Sequence, residues 1–212
     1  MVRHFEMAMN MGSNKLQWEL EKLTSAPVTR ILLCTYDKPG LFSQMVGVLT
    51  LNNIKVLSAN IFTLKNGMAF DVYEVTNPLD TYSEKEKWNK IYKEINLVLE
   101  DQFPLDDRIR RKGQRTLNSE GHASIRLRGL RINNDASDFF TVVEVRSAAT
   151  LGLLYELAKE FFLLDLNIRF AKFDSDKEYM SGDFYVRDSL GQKIYDETRI
   201  KTIEDRITAI LK

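Results

Sequence analysis

Val28-Thr-Arg-Ile-Leu-Leu-Cys-Thr-Tyr36-Asp37-Lys-Pro-Gly40-Leu41-Phe42 is the stretch on which the fold turns. Its first nine residues are mostly β-branched or apolar, the composition of a buried strand. Asp37-Lys-Pro-Gly40 then breaks the strand, because proline fixes φ and glycine permits a tight turn. Leu41, Phe42, Met45, Val46 and Leu49 follow at i, i+3, i+4 spacing and make one apolar helix face. Lys55–Leu64, Asn66-Gly67 and Met68–Thr76 read as a hairpin, Asn-Gly being the strongest short hairpin signal. Trp88, Ile91, Tyr92, Ile95, Val98 and Leu99 form a second amphipathic helix.

The same order returns further along the chain. A shift of 112 residues lays Thr29 to Phe42 over Thr141 to Leu154, Gly40 over Gly152, and Val56-Leu-Ser-Ala59 over Ile168-Arg-Phe-Ala171. Asp71-Val-Tyr-Glu-Val75 matches Gly182-Asp-Phe-Tyr-Val186 when the second hairpin is one residue shorter. The second copy closes on Ile200, Ile203, Ile207, Ile210 and Leu211. Strand-helix-strand-strand-helix lacks one strand of a ferredoxin-like split βαβ sheet. Both copies have an alternating segment before their first strand, Trp18 and Leu20 corresponding to Leu130 and Ile132. Each unit is therefore expected to be α+β and permuted as ββαββα, the fourth strand arriving first, with Trp18 buried beside the strand at 28–36. Plain connectors at these places remain the other reading. The expected division is 1–15 as an N-terminal extension, 16–100 as the first domain, 101–124 as a basic linker, and 125–212 as the second domain. The linker carries Arg108, Arg110, Arg111, Lys112 and Arg115. Residues 1–13 are Met-rich and read as a loose helix, natural at the trailing end of a preceding domain.

Composition narrows the function. With 44% hydrophobic residues and 30 basic residues cancelled by 30 acidic ones, the chain supports a core and lacks the surplus charge of a nucleic-acid binder. No apolar run approaches a membrane span, no secretory h-region is visible, and a single cysteine, Cys34, forms no internal disulfide. A cytoplasmic location is expected. The ten glycines lie at least seven residues apart, so no phosphate-cradling G-x-G-x-x-G or P-loop can be written. His4 and His122 are isolated, which leaves no paired metal signature. The expectation is a chain with no catalytic residues, no metal and no cofactor, and therefore not an enzyme.

Asp37-Lys-Pro-Gly40-Leu-Phe after a strand, followed by Ser58-Ala59 in the next, resembles the ACT domain, a small-molecule-sensing module. Further on stand Ile132-Asn-Asn-Asp-Ala-Ser137, Thr141-Val-Val-Glu-Val145, Gly152-Leu-Leu-Tyr155 and Asp183-Phe-Tyr-Val-Arg-Asp188. Together they resemble the C-terminal tandem ACT region of the bifunctional PII-protein uridylyltransferase/uridylyl-removing enzyme family, over about residues 28–212. The resemblance implies a region that binds an amino acid, glutamine first among them, and controls nucleotidyltransferase and HD-type catalytic domains in nitrogen regulation. Those domains precede the ACT pair in the family, and neither can be built here. Gly12-Ser13 is followed by no D-x-D turn before Asp37, and two histidines cannot supply an HD metal cluster. The partners implied are catalytic domains of the same polypeptide or of another protein; pairing of two copies stays open, as does the question of a fragment against a stand-alone regulator.

The turn itself suits a zwitterion. Amides around Gly40, Leu41 and Phe42 at a helix start can receive a carboxylate, and Asp37 can take an ammonium. The competing reading has Asp37 capping the helix and Gly40 merely turning the chain. In the second copy Ala149 replaces Asp37 and Leu151 replaces Pro39, while Asn167 stands where the first copy has Lys55. Each copy holds half of a polar set, so one mixed site drawing on Asp37, Gly40, Leu41, Phe42, Lys55, Gly152, Leu153 and Asn167 is expected. Two other functions compete with this one. Lys65 to Tyr73 faintly echoes an RNA-binding motif, but Ile31 to Thr35 offers no stacking aromatic, and Asp71 and Glu74 repel phosphate. A ligand-free interaction or oligomerisation module is the stronger alternative.

Overall fold

The computed structural model describes residue 7 and residues 15–79, 83–119, 129–175 and 179–211, with backbone alone at 115–119 and 175. The chain divides into two compact units, Met1–Asp106 and Asp107–Lys212. The first contains β1 (Leu16–Lys22), β2 (Val28–Tyr36), α1 (Leu41–Leu51), β3 (Val56–Asn60), β4 (Met68–Thr76) and α2 (Glu84–Leu99). Its strands lie antiparallel in the order β1-β2-β4-β3. The strand that arrives first pairs with β2 as a hairpin, from Leu16 opposite Thr35 to Lys22 opposite Thr29.

Alternation along β2 and β4 sorts the side chains onto two faces. Ile31, Leu33, Tyr73 and Val75 fill one face together with Met45, Leu49, Ile91 and Ile95 of the helices, all essentially inaccessible. Burying each such side chain contributes roughly 1.5–3 kcal/mol. Trp18 is half-buried at the edge of this layer, its ring 6.0 Å from Trp88 and 5.3 Å from Tyr92. The Tyr92 hydroxyl donates to the Leu16 carbonyl at 3.0 Å, tying α2 to the early strand. Leu32, Cys34 and Phe70 occupy the other face beneath Met7. Burial pushes the Cys34 thiol up, so it behaves as a small core hydrophobe. The remainder of the helix expected over 1–13 lies outside the described residues.

The second unit holds most of α3 (Leu105–Ser119), then β5 (Gly129–Asn133), β6 (Thr141–Ala148), α4 (Leu153–Leu163), β7 (Leu166–Ser175), β8 (Tyr179–Asp188) and α5 (Glu197–Leu211). Its strand order, β5-β6-β8-β7, repeats that of the first unit. Even the irregularities recur: the ladder slips between Val56 and Ser58 in one unit and between Ile168 and Phe170, each 112 residues later, in the other. The fold is α+β, two ACT-like units of eight antiparallel strands and five helices among the described residues. The basic segment that composition assigns to a linker is mostly helical. Leu105 and Ile109, four apart and both buried, give α3 an apolar stripe too narrow to register among so many charges.

Candidate functional site

Gly40 heads α1 with φ +76° and ψ +13°, a left-handed conformation that side chains disfavour. The turn closes on itself: the Leu41 amide donates to Lys38 O at 3.0 Å and the Gln44 amide to Gly40 O at 3.0 Å. Leu41 is thus already satisfied, while the Phe42 and Ser43 amides meet no backbone acceptor among the described residues. The side chains of Leu41 and Phe42 are buried. Lys38 Nζ reaches the Leu99 carbonyl at 2.9 Å and the Asp101 carboxylate at 3.1 Å, anchoring the turn to the end of α2.

Asp37 is exposed and does not cap α1, which carries no side-chain cap. Its amide donates to Gly67 O at 2.8 Å, and its Oδ2 accepts the Thr63 hydroxyl at 2.9 Å. The carboxylate is therefore oriented by a hydroxyl on the neighbouring segment, not consumed by the helix start.

Beneath the turn lies a feature that the sequence reading missed. Asp71 is fully buried, accepts the Tyr73 hydroxyl at 2.9 Å, and lies 3.4 Å from the Phe62 amide. Burial pushes its carboxyl up to about 7; the two hydrogen bonds oppose the rise, and nearby Asp37 adds to it. The Tyr73 hydroxyl is itself pushed well up by burial and by Asp71, so it remains a donor. Tyr73 stacks almost parallel on Phe42, centroids 6.2 Å apart, which links the buried carboxyl to the turn. The available signal was alternation: Asp71 shares its sheet face with Tyr73 and Val75, a core position for an acid.

The second turn differs. Gly152 has φ +89° and is buried, and a Cβ built on it meets Ile109 Cγ2 at 3.0 Å. Leu153 is buried and its amide donates to Thr150 O at 3.3 Å. Asn167 is exposed, with its Nδ2 donating to Asp188 O at 3.1 Å. Lys55 is exposed, and its backbone pairs with Thr76 through the Thr76 hydroxyl at 3.0 Å and the Thr76 amide at 2.9 Å. The Asn-rich motif before β6 is structural: Asn134 accepts the Thr141 hydroxyl at 2.6 Å and donates to Ile194 O at 2.8 Å. Among the described residues, no group of three or more His, Cys, Asp or Glu side chains could hold a metal, and no helix is long and apolar enough to cross a membrane. Both histidines lie outside the described residues.

A βαββα order with a left-handed glycine where the first strand of that order turns into its helix is ACT-like architecture, and the chain carries it twice. Residues 136–211 match the family model of the ACR family N-terminal ACT domain. Over most of its length the chain is an ACT-domain region similar to bifunctional uridylyltransferase/uridylyl-removing enzymes. It is 28% identical to that of Rhodospirillum rubrum over 213 residues, covering 99% of this chain and 23% of the relative. To the enzyme of Azospirillum brasilense it is 33% identical over 184 residues, covering 85% and 19%. To that of Ruegeria pomeroyi it is 25% identical over 213 residues, covering 98% and 22%. The chain thus spans between about a fifth and a quarter of the length of these relatives.

Proposed function

We propose that this chain is a regulatory region that binds a zwitterionic amino acid at the β2–α1 turn, glutamine being the first to test. Binding would control uridylyltransferase and uridylyl-removing catalytic domains, on the same polypeptide or on a partner, in nitrogen regulation. One observation supports it above the others: Asp37 is exposed, held by Thr63, and left out of the helix cap. An anionic group for an ammonium and helix-head amides for a carboxylate then stand within one short turn. Gly40 lets a ligand backbone come close. The coupling needed to bias an attached catalytic domain is on the order of 1–3 kcal/mol.

Calorimetry of the chain against the twenty amino acids tests this. Glutamine binding is expected, with Asp37→Ala weakening it roughly ten- to a hundredfold at unchanged thermal stability, the effect of losing one charge-assisted hydrogen bond. Parent-like binding by Asp37→Ala would show the site to be misassigned. The buried Gly152 favours a second reading, in which such turns pack only against protein; an absence of binding by any amino acid would establish that one instead.

A further inference from the structure

We infer that the second turn is the seat of α3 and not a second amino-acid site, with Ile109 keeping the head of α4 closed to small ligands. The contact is close. The Ile109 methyl lies 3.0 Å from where a Cβ on Gly152 would stand, so the space a ligand backbone would need beside that glycine is filled. Ile109 is 4% exposed, on a helix whose neighbouring Arg108, Arg110 and Arg111 all face solvent. One helical turn on, a Cβ on Gly113 would come within 4.0 Å of the Leu151 carbonyl, so α3 crosses the turn at two points.

Chemistry agrees with geometry. The first turn presents Asp37 beside a half-buried Gly40; the second has Ala149 and a buried Gly152. An ammonium would find no side-chain acceptor at residue 149, whereas an isoleucine methyl finds a buried glycine. The second turn has exchanged a polar ligand for an apolar one supplied by the chain. Ile109 and Gly152 belong to the same unit of one chain, so the plug competes with a free ligand intramolecularly.

The test uses the full chain and two readouts. Hydrogen exchange of the amides at 152–156 should quicken at least tenfold in Ile109→Asp and by a smaller factor in Ile109→Ala. Amides at 41–45 and at 142–145 in β6 should keep parent protection. Unchanged exchange at 152–156 in Ile109→Asp would overturn the inference, as would loss of protection spreading through β6 in both variants, which would make Ile109 an ordinary core residue. The second readout rests on the function proposed above: one glutamine per parent chain supports the inference, and two per chain, with one abolished by Gly152→Val, overturns it. If no amino acid binds at all, that function fails while the exchange data still decide whether α3 seats on the turn.

Discussion

Below α1 and α4 the two units diverge while their strand orders and registers correspond. Asp71 stands opposite Leu33 and Tyr73 opposite Ile31; 112 residues later in the partner strand, Gly182 stands opposite Val145 and Phe184 opposite Val143. The first unit thus places a carboxyl and a phenol where the second places a hydrogen atom and a phenyl ring. The vacated volume is taken by Phe173, whose ring lies 5.3 Å from that of Phe184. Strand order, turn glycines and the bulge are set by alternation and by backbone demands, and these are common to both units. What sits under the helix is a local choice between a hydrogen-bonded polar pair and an aromatic cluster, and the polar pair accompanies the turn that kept its acid.

Transplanting the difference should have the largest effect. In Gly182→Asp the new Cβ falls 3.1 Å from the Phe184 ring and 3.2 Å from Phe173, and the carboxyl meets phenylalanine where Asp71 meets a tyrosine hydroxyl. Overpacking and an unpaired buried charge together predict a loss above about 4 kcal/mol in the second unit. Denaturant unfolding of single-unit probes reads it; a midpoint equal to the parent's would mean that the two layers are interchangeable.

Next comes the reverse operation, removing the titratable carboxyl from the first unit. A carboxyl held at about 7 when folded and near its ordinary value when unfolded stays protonated in the native state between those limits. The unfolded chain releases its proton first, so stability falls as pH rises from about 4 to about 7 and is level above. The full span corresponds to up to about 4 kcal/mol. Asp71→Asn stays neutral throughout and keeps a group that can accept from Tyr73. Its stability relative to the parent should therefore climb through that window and plateau near pH 8, as melting at stepped pH will show. A difference independent of pH would contradict the burial assigned to Asp71.

Much of this was legible beforehand. Val28–Tyr36 and Met68–Thr76 read as strands because apolar alternation and turn residues bound them at both ends, and the early strands emerged because Trp18 and Leu130 occupy one phase of the repeat. α3 was not legible, since two buried residues, Leu105 and Ile109, carry its docking among exposed charges. Nor was the state of the site. Sequence distinguishes Asp37 from Ala149, yet only the folded chain brings Thr63 to the first and Ile109 to the glycine beside the second. Asp71 enters the sequence argument only as an acid that repels phosphate, although its alternation with Tyr73 and Val75 places it on the core face.

The edge strands offer a milder comparison. Trp18 on β1 corresponds to Leu130 on β5, and only the first meets a pair of aromatic rings on its helix. Trp18→Leu should cost about 1–2 kcal/mol, from lost area and lost edge-on ring contact. Thermal unfolding will measure it, and a neutral outcome would make the two edges equivalent.

The smallest expected effect concerns a single hydroxyl. Thr63 is joined to Ala69 by an isolated bridge, so its backbone is fixed independently of its side chain. Valine keeps that shape and removes only the donor that Asp37 Oδ2 accepts. Because the pair is exposed, water replaces the lost bond, and stability should move by less than about 0.5 kcal/mol. Affinity is another matter. If Thr63 aims the carboxylate at a ligand's ammonium, its loss lets Asp37 explore other rotamers, and binding should weaken by roughly 0.5–1.5 kcal/mol, about two- to tenfold. The second turn needs no such hydroxyl, since Ala149 gives it nothing to hold. Calorimetry on Thr63→Val beside Asp37→Ala separates orientation from contact: an intermediate loss places Thr63 behind Asp37, whereas parent-like affinity for Thr63→Val alone would show that Asp37 needs no help in finding its ligand.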